Sequence, residues 1–238
     1  MGVEIVETGY VDIIGSGSAA RGRCEDSIYY FENQVNWDKI AKKGAKYKDN
    51  VLPYKHLFEN ETKRMNLNTR LVLSLFCWET GWGGAIGSEK TKRAWSICNN
   101  PAGLLCRPKT STEFAPQSQF GGIEAARDSE GTPDGYFWKF RSKEDGVKAL
   151  CYKLVHSSSY GIKIRQYKNV EHWCLGLQLG NLYTEHKDEN PIDEKSWFIS
   201  GQQAYCPTPS SKKVGSDGKV SVINGYGKSI LSIYTKSL

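Results

Sequence analysis

The stretch Asn68-Thr69-Arg70-Leu71-Val72-Leu73-Ser74-Leu75-Phe76-Cys77-Trp78-Glu79-Thr80-Gly81-Trp82-Gly83 decides how the rest of the chain is read. Asn68 carries the short polar side chain that caps a helix start, and Leu71, Val72, Leu75, Phe76 and Trp78 follow at helical spacing until Gly81. Apolar residues cover nearly the whole circumference, which places this helix in the middle of a domain. Glu79 is the acidic residue at its end, set between Cys77-Trp78 and Gly81-Trp82. In apolar, partly dry surroundings a carboxyl keeps its proton to higher pH, and near neutrality it becomes a proton donor. The alternative is a helix-end glutamate directed into water beside two packing tryptophans.

Working outward, Ile28, Phe31, Val35 and Ile40 lie at irregular helical spacing between Ser27 and Lys48, with Gly44 near an end, so one or two short helices are expected before the central one. After it, Pro101, Pro108, Pro116 and Pro133 sit among many glycines, and residues 80 to about 140 read as loops with a short hairpin. Such an excursion from a helical body is a common place for a binding cleft. Ser142 can cap the next helix, with Glu144 and Asp145 in its first turn and Val147, Leu150, Leu154 and Val155 as its apolar stripe. Further helices are expected at Val170 to Leu182 and Trp197 to Tyr205. Pro207 to Gly225 reads as a polar, Gly-rich loop, and a final helix runs from Tyr226 with Ile230, Leu231, Ile233 and Tyr234. Residues 1–24, with Gly15-Ser16-Gly17-Ser18, have the composition of a flexible tail or linker. The expected fold class is therefore α+β, mainly α: one helical domain over residues 25–238 with a small loop and β-hairpin lobe forming the cleft.

Composition narrows the function. The 238 residues carry 32 Lys+Arg against 26 Asp+Glu, a formal net charge of +6, and are 39% hydrophobic and 12% aromatic with a mean hydropathy of −0.54. That aromatic content argues against disorder. The longest strongly apolar run, Leu71 to Trp78, is far short of the ~20 residues that cross a bilayer, so no membrane insertion is expected. A nucleic-acid partner is not expected either, because no recognisable binding module accompanies the mild positive charge. That charge suits steering towards a polyanion such as a cell wall, although the dense segment Lys39 to Lys48 also reads as a solvated helix face.

The start Met1-Gly2-Val3-Glu4-Ile5-Val6-Glu7 lacks a basic and apolar leader, which suggests synthesis in the cytosol and another route of export. Seven cysteines, an odd number without a Cys-x-x-Cys pair, read as reduced, buried apolar side chains. His56, His156, His172 and His186 lack ligand spacing, so neither a metal nor another cofactor is assigned.

The segment Asn66 to Gly83, ending Glu79-Thr80-Gly81-Trp82-Gly83, resembles the core motif of the peptidoglycan-hydrolysing glucosaminidases, a lysozyme-like family that includes bacterial autolysins and the flagellar muramidase-like domain. There a buried helix ends in Glu-Ser-Gly-Trp-Gly; here Thr80 stands for the Ser. Asn99-Asn100-Pro101-Ala102-Gly103 is similar to the family's Asn-Asn-Leu-Phe-Gly segment but lacks its aromatic residue. Phe140-Arg141-Ser142 and the C-terminal Tyr205-Cys206-Pro207 with Tyr226 to Tyr234 follow in the family's order, and the resemblance spans roughly residues 27–238.

The resemblance implies that Glu79 is the general acid of an endo-β-N-acetylglucosaminidase, cutting the β-1,4 bond after N-acetylglucosamine in the glycan strands of peptidoglycan. It implies a second carboxylate in the small lobe, where Thr112-Glu113-Phe114 fits the family pattern best and Glu124, Asp128 and Glu130 compete. Tyr205 matches a tyrosine facing the acid. Asn99 and Asn100 are candidates for hydrogen bonds to sugar hydroxyls and acetamides, with turn chemistry as the alternative. Trp82, Trp95 and Trp138 are candidates for stacking on sugar faces, whereas Trp78, Trp173 and Trp197 fall on helical stripes and are expected in the core. A muramidase, a lytic transglycosylase and a non-catalytic wall-binding module are the alternatives. A chain of this kind suits a phage lysin, with other lysin or virion domains as partners, or a domain of a longer bacterial autolysin.

Overall fold

The computed structural model describes residues 34–86, 94–104, 122–127, 136–156, 170–179, 206 and 211–238. The described chain is mainly helical: α1 Trp37–Lys42, α2 Ala45–Val51, α3 Lys55–Arg64, α4 Thr69–Glu79, α5 Lys143–His156, α6 Val170–Leu179 and α7 Tyr226–Lys236. Two separate antiparallel hairpins, β1 Gly122–Arg127 with β2 Tyr136–Phe140 and β3 Ser211–Val214 with β4 Val220–Ile223, complete it.

α4 is the axis of the body. Asn68 caps it as expected, its Oδ1 accepting the Leu71 N–H at 2.9 Å. Every residue from Leu71 to Cys77 is buried. α3 and α7 pack on α4, α6 packs on α7, and α5 packs on α3 and β2. A line of rings from Tyr54 through Trp95 and Phe76 to Phe58, with centroids 5.0, 5.0 and 4.9 Å apart, threads this core. Trp78, expected in the core, is 44% exposed on the last turn of α4.

Other expectations meet the structure unevenly. Gly44 does separate two short helices, with a φ of 107° that suits glycine. Ser142 caps α5, its hydroxyl accepting the Asp145 N–H at 3.0 Å and donating to the Asp145 carboxylate at 2.9 Å. Val147, Leu150, Leu154 and Val155 are all buried. α3 had no place in the sequence reading, since its large apolar residues are only Leu57 and Phe58. Its inner face is partly polar and satisfied by pairing: the Thr62 and Thr69 hydroxyls meet at 2.7 Å, and Arg64 donates to Glu61 at 2.6 Å. The segment read as a polar loop, 207–225, holds the β3–β4 hairpin, whose two strands are exposed along their whole length.

The Asn99-Asn100 pair fastens the β1–β2 hairpin to the helical body. Asn100, fully buried, donates from Nδ2 to the Leu104 and Trp138 carbonyls at 3.0 Å each, and its Oδ1 accepts the Leu104 N–H at 2.8 Å. Asn99 donates to the Phe140 carbonyl at 2.9 Å. α5 closes onto this clip at Gly146, where any Cβ would lie 1.9 Å from the Asn99 carbonyl oxygen. At the far end, Arg70 holds the Tyr234 carbonyl at 2.7 Å, and the Asn36 N–H donates to the Leu238 carbonyl at 2.8 Å. Cys77, Cys98, Cys151 and Cys174 are buried thiols, as the composition implied. No described helix is long and apolar enough to cross a membrane.

Candidate active site

α4 delivers Glu79 to its C-terminal end, and the next residues make the backbone turn away at once. Gly81, Trp82, Gly83 and Gly84 all have positive φ, 57°, 59°, 69° and 99°. Glycine at 83 is forced twice, by that φ and because a Cβ would lie 2.4 Å from the Asn50 carbonyl oxygen. Thr80, fully buried, holds the turn: its hydroxyl donates to the Phe76 carbonyl at 2.6 Å and accepts the Gly83 N–H at 2.8 Å. A hydroxyl is what this position requires, and Thr supplies it as Ser would. Trp82 is buried, edge-on to Tyr47 at 5.5 Å with the Lys43 ammonium 4.9 Å from its ring. The Gly-Trp-Gly portion of the motif is thus architecture, and it leaves Glu79 half-buried at the mouth of the turn.

The residue facing Glu79 is Tyr226, at the first position of α7, whose hydroxyl donates to Glu79 Oε1. α6 fixes that position. Gly227 lies so close to α6 that a Cβ would sit 2.6 Å from the Cys174 carbonyl oxygen. Its N–H, which has no partner inside its own helix, donates to Gln178 Oε1 at 2.9 Å, and Gln178 is itself fully buried. Burial pushes the Glu79 carboxyl up to about 7 from its ordinary 4.5, against the opposing pull of the Tyr226 hydroxyl and the Lys153 ammonium. Near neutrality this carboxyl is divided between a proton donor and a proton acceptor.

The other expected site residues scatter. Glu113 and Tyr205 lie outside the described residues, as do Asp128 and Glu130; Glu124 lies on β1. Asn100 has no polar atom left for a ligand, and Asn99 is engaged by Phe140 and by the Lys143 ammonium at 3.3 Å, so both side chains are taken up in holding the hairpin to the body. Trp95 and Trp138 are buried. Trp95 is packed between Tyr54 and Phe76 and carries the Lys143 ammonium 4.0 Å from its ring, so it offers no sugar a face. One site residue escaped the sequence reading: Tyr226, quoted only as part of a C-terminal motif. No group of His, Cys, Asp and Glu among the described residues could hold a metal ion. A separate cavity of about 340 Å³ opens near Gln34, Trp37, Lys55 and Thr69, at the opposite end of α4 and about 15 Å from Glu79 at 1.5 Å per helical residue. Set against known protein families, curated proteins and solved structures, the chain returns no match.

Proposed function

We propose that the chain is a glycoside hydrolase of lysozyme-like architecture that cuts β-1,4 bonds in the N-acetylated glycan of the bacterial cell wall, with Glu79 as its general acid and base. The observation that carries this reading is a half-buried carboxyl on the end of a buried helix, held near pH 7 by burial and met by one phenol. Because Tyr226 donates to Oε1, the acidic proton belongs on Oε2, the oxygen left for a glycosidic bond. Protonation of that bond's oxygen lets the leaving sugar depart. The resulting carboxylate keeps the Tyr226 hydrogen bond and then accepts a proton from the incoming water, as microscopic reversibility demands. The developing positive charge on the sugar is met by Glu113 or by the substrate's own acetamide. The net charge of +6 supports approach to an anionic wall.

The test is Glu79→Gln, which keeps the side chain's shape and removes the proton. Clearing of a peptidoglycan suspension is expected to fall by at least about a thousandfold, the loss seen when an essential catalytic group is deleted. Clearing at the wild-type rate overturns the assignment. Mass spectrometry of the released fragments then tells glucosaminidase, muramidase and transglycosylase apart, by the reducing-end sugar and by one water of mass.

A further inference from the structure

Among the buried apolar residues of α6, one side chain is polar and wholly enclosed. We propose that Gln178 is a positioning residue of the site, which caps α7 from the neighbouring helix and so sets where the Tyr226 hydroxyl meets Glu79; this rests on the glycosidase reading above.

α7 starts without a cap of its own. Its N-cap is Gly225, which has no side chain to offer the first turn. The first N–H groups of a helix have no partner inside it, and the one on Gly227 is buried against α6, where water cannot serve it. Gln178, one residue from the end of α6, supplies the acceptor, its Oε1 taking the Gly227 N–H at 2.9 Å. Trp173, Cys174, Leu175 and Leu177 around it are buried and apolar, and a fully buried amide among them is costly unless its polar atoms are used.

The bond falls at the place in α7 from which the phenol is aimed. The Gly227 nitrogen belongs to the peptide that follows Tyr226, so holding it fixes the direction in which the Tyr226 side chain leaves the helix. Close packing of Gly227 on the Cys174 carbonyl limits how near α7 can come, but it does not stop α7 from tilting away. The Gln178 bond does. A continuous chain of contacts therefore runs from Gln178 to Gly227, through one peptide to Tyr226, and from the Tyr226 hydroxyl to Glu79 Oε1. A misplacement of about 1 Å costs up to about a hundredfold in rate. Moving the phenol can cost no more than removing it, so the loss in Tyr226→Phe is the ceiling for any change at Gln178.

The experiment is a double-mutant cycle. Gln178→Leu, which removes the acceptor at similar volume, and Gln178→Asn, which keeps the amide but draws it back by one methylene, are each made in the wild type and in Tyr226→Phe. Hydrolysis of peptidoglycan is measured, and the Glu79 carboxyl is titrated by carbon-13 NMR. In the wild-type background either variant is expected to lower kcat about five- to tenfold, to change KM less than about threefold and to raise the Glu79 midpoint by about one pH unit. In the Tyr226→Phe background the same variants are expected to lower kcat less than about twofold further and to leave the midpoint in place, because the phenol through which Gln178 acts is gone. The Lys153 ammonium, which also acts on Glu79, stands on α5 and is left in place by these variants. Should Gln178→Leu fail to fold, Gln178→Asn carries the comparison. An equal fall in kcat in both backgrounds marks a merely structural role and overturns the positioning, as does an unchanged kcat in the wild-type background; both leave the hydrolase reading intact. A midpoint that moves with position 178 only when Tyr226 is present, in a protein that cleaves no peptidoglycan, supports the positioning and overturns the hydrolase. No cleavage and no movement of the midpoint overturn both.

Discussion

Tyr226 is the residue through which the chemistry of Glu79 is set. Its hydroxyl stabilises the ionised carboxylate, so it holds the Glu79 pKa below what burial alone would give. Tyr226→Phe removes that donor, and a hydrogen bond to a charged group contributes about 1.5–3 kcal/mol. The alkaline limb of the kcat/KM profile is therefore expected to move up by about one to two pH units, at 1.36 kcal/mol per unit. Activity at pH 6 should fall about tenfold, because the carboxylate left after proton transfer loses its stabilising partner. A pH–rate profile of both proteins checks this, and coincident alkaline limbs would mean that the phenol does not act on the acid.

At the scale of elements, the site depends on how tightly α6 and α7 approach one another. Gly227→Ala puts a Cβ 2.6 Å from the Cys174 carbonyl, so α7 must move away from α6 and take Tyr226 with it. Activity is expected to fall at least about tenfold and stability by about 1–3 kcal/mol, the cost of overpacking, with the far-ultraviolet dichroism retained. Activity assays beside thermal melts check both. The sequence allowed α4, α5 and α7 to be read because each shows an apolar period with a polar cap or a clear start. It hid α3, which buries Glu61 and Thr62 through partners that no local pattern announces. It also hid β3–β4, although Gly215-Ser216-Asp217-Gly218 ahead of Val220-Ser221-Val222 is a hairpin signal, because polar composition outweighed alternation. Glu79 was legible since its neighbours announce burial. Tyr226 was not, because its approach to Glu79 joins residues 147 positions apart. The exposure of Trp78 was equally hidden, since periodicity assigns a residue to a face without saying which faces the neighbouring elements cover.

For the whole molecule, the site lowers stability in a pH-dependent way. The Glu79 pKa is raised in the fold, so between about pH 4.5 and 7 the folded chain binds more protons than the unfolded one. Stability therefore declines as pH rises through that window and stays lower above it. Glu79→Gln relieves this cost. The variant is expected to melt several degrees higher than wild type at pH 8 and at the same temperature at pH 4. Scanning calorimetry at the two pH values checks the sign, and a lower melting temperature for the variant at pH 8 would contradict it. The hydrogen bond from Asn36 to the Leu238 carbonyl has a different consequence. It staples the stretch ahead of α1 to the stretch after α7, so neither of these outer helices frays without giving up its hold on the other.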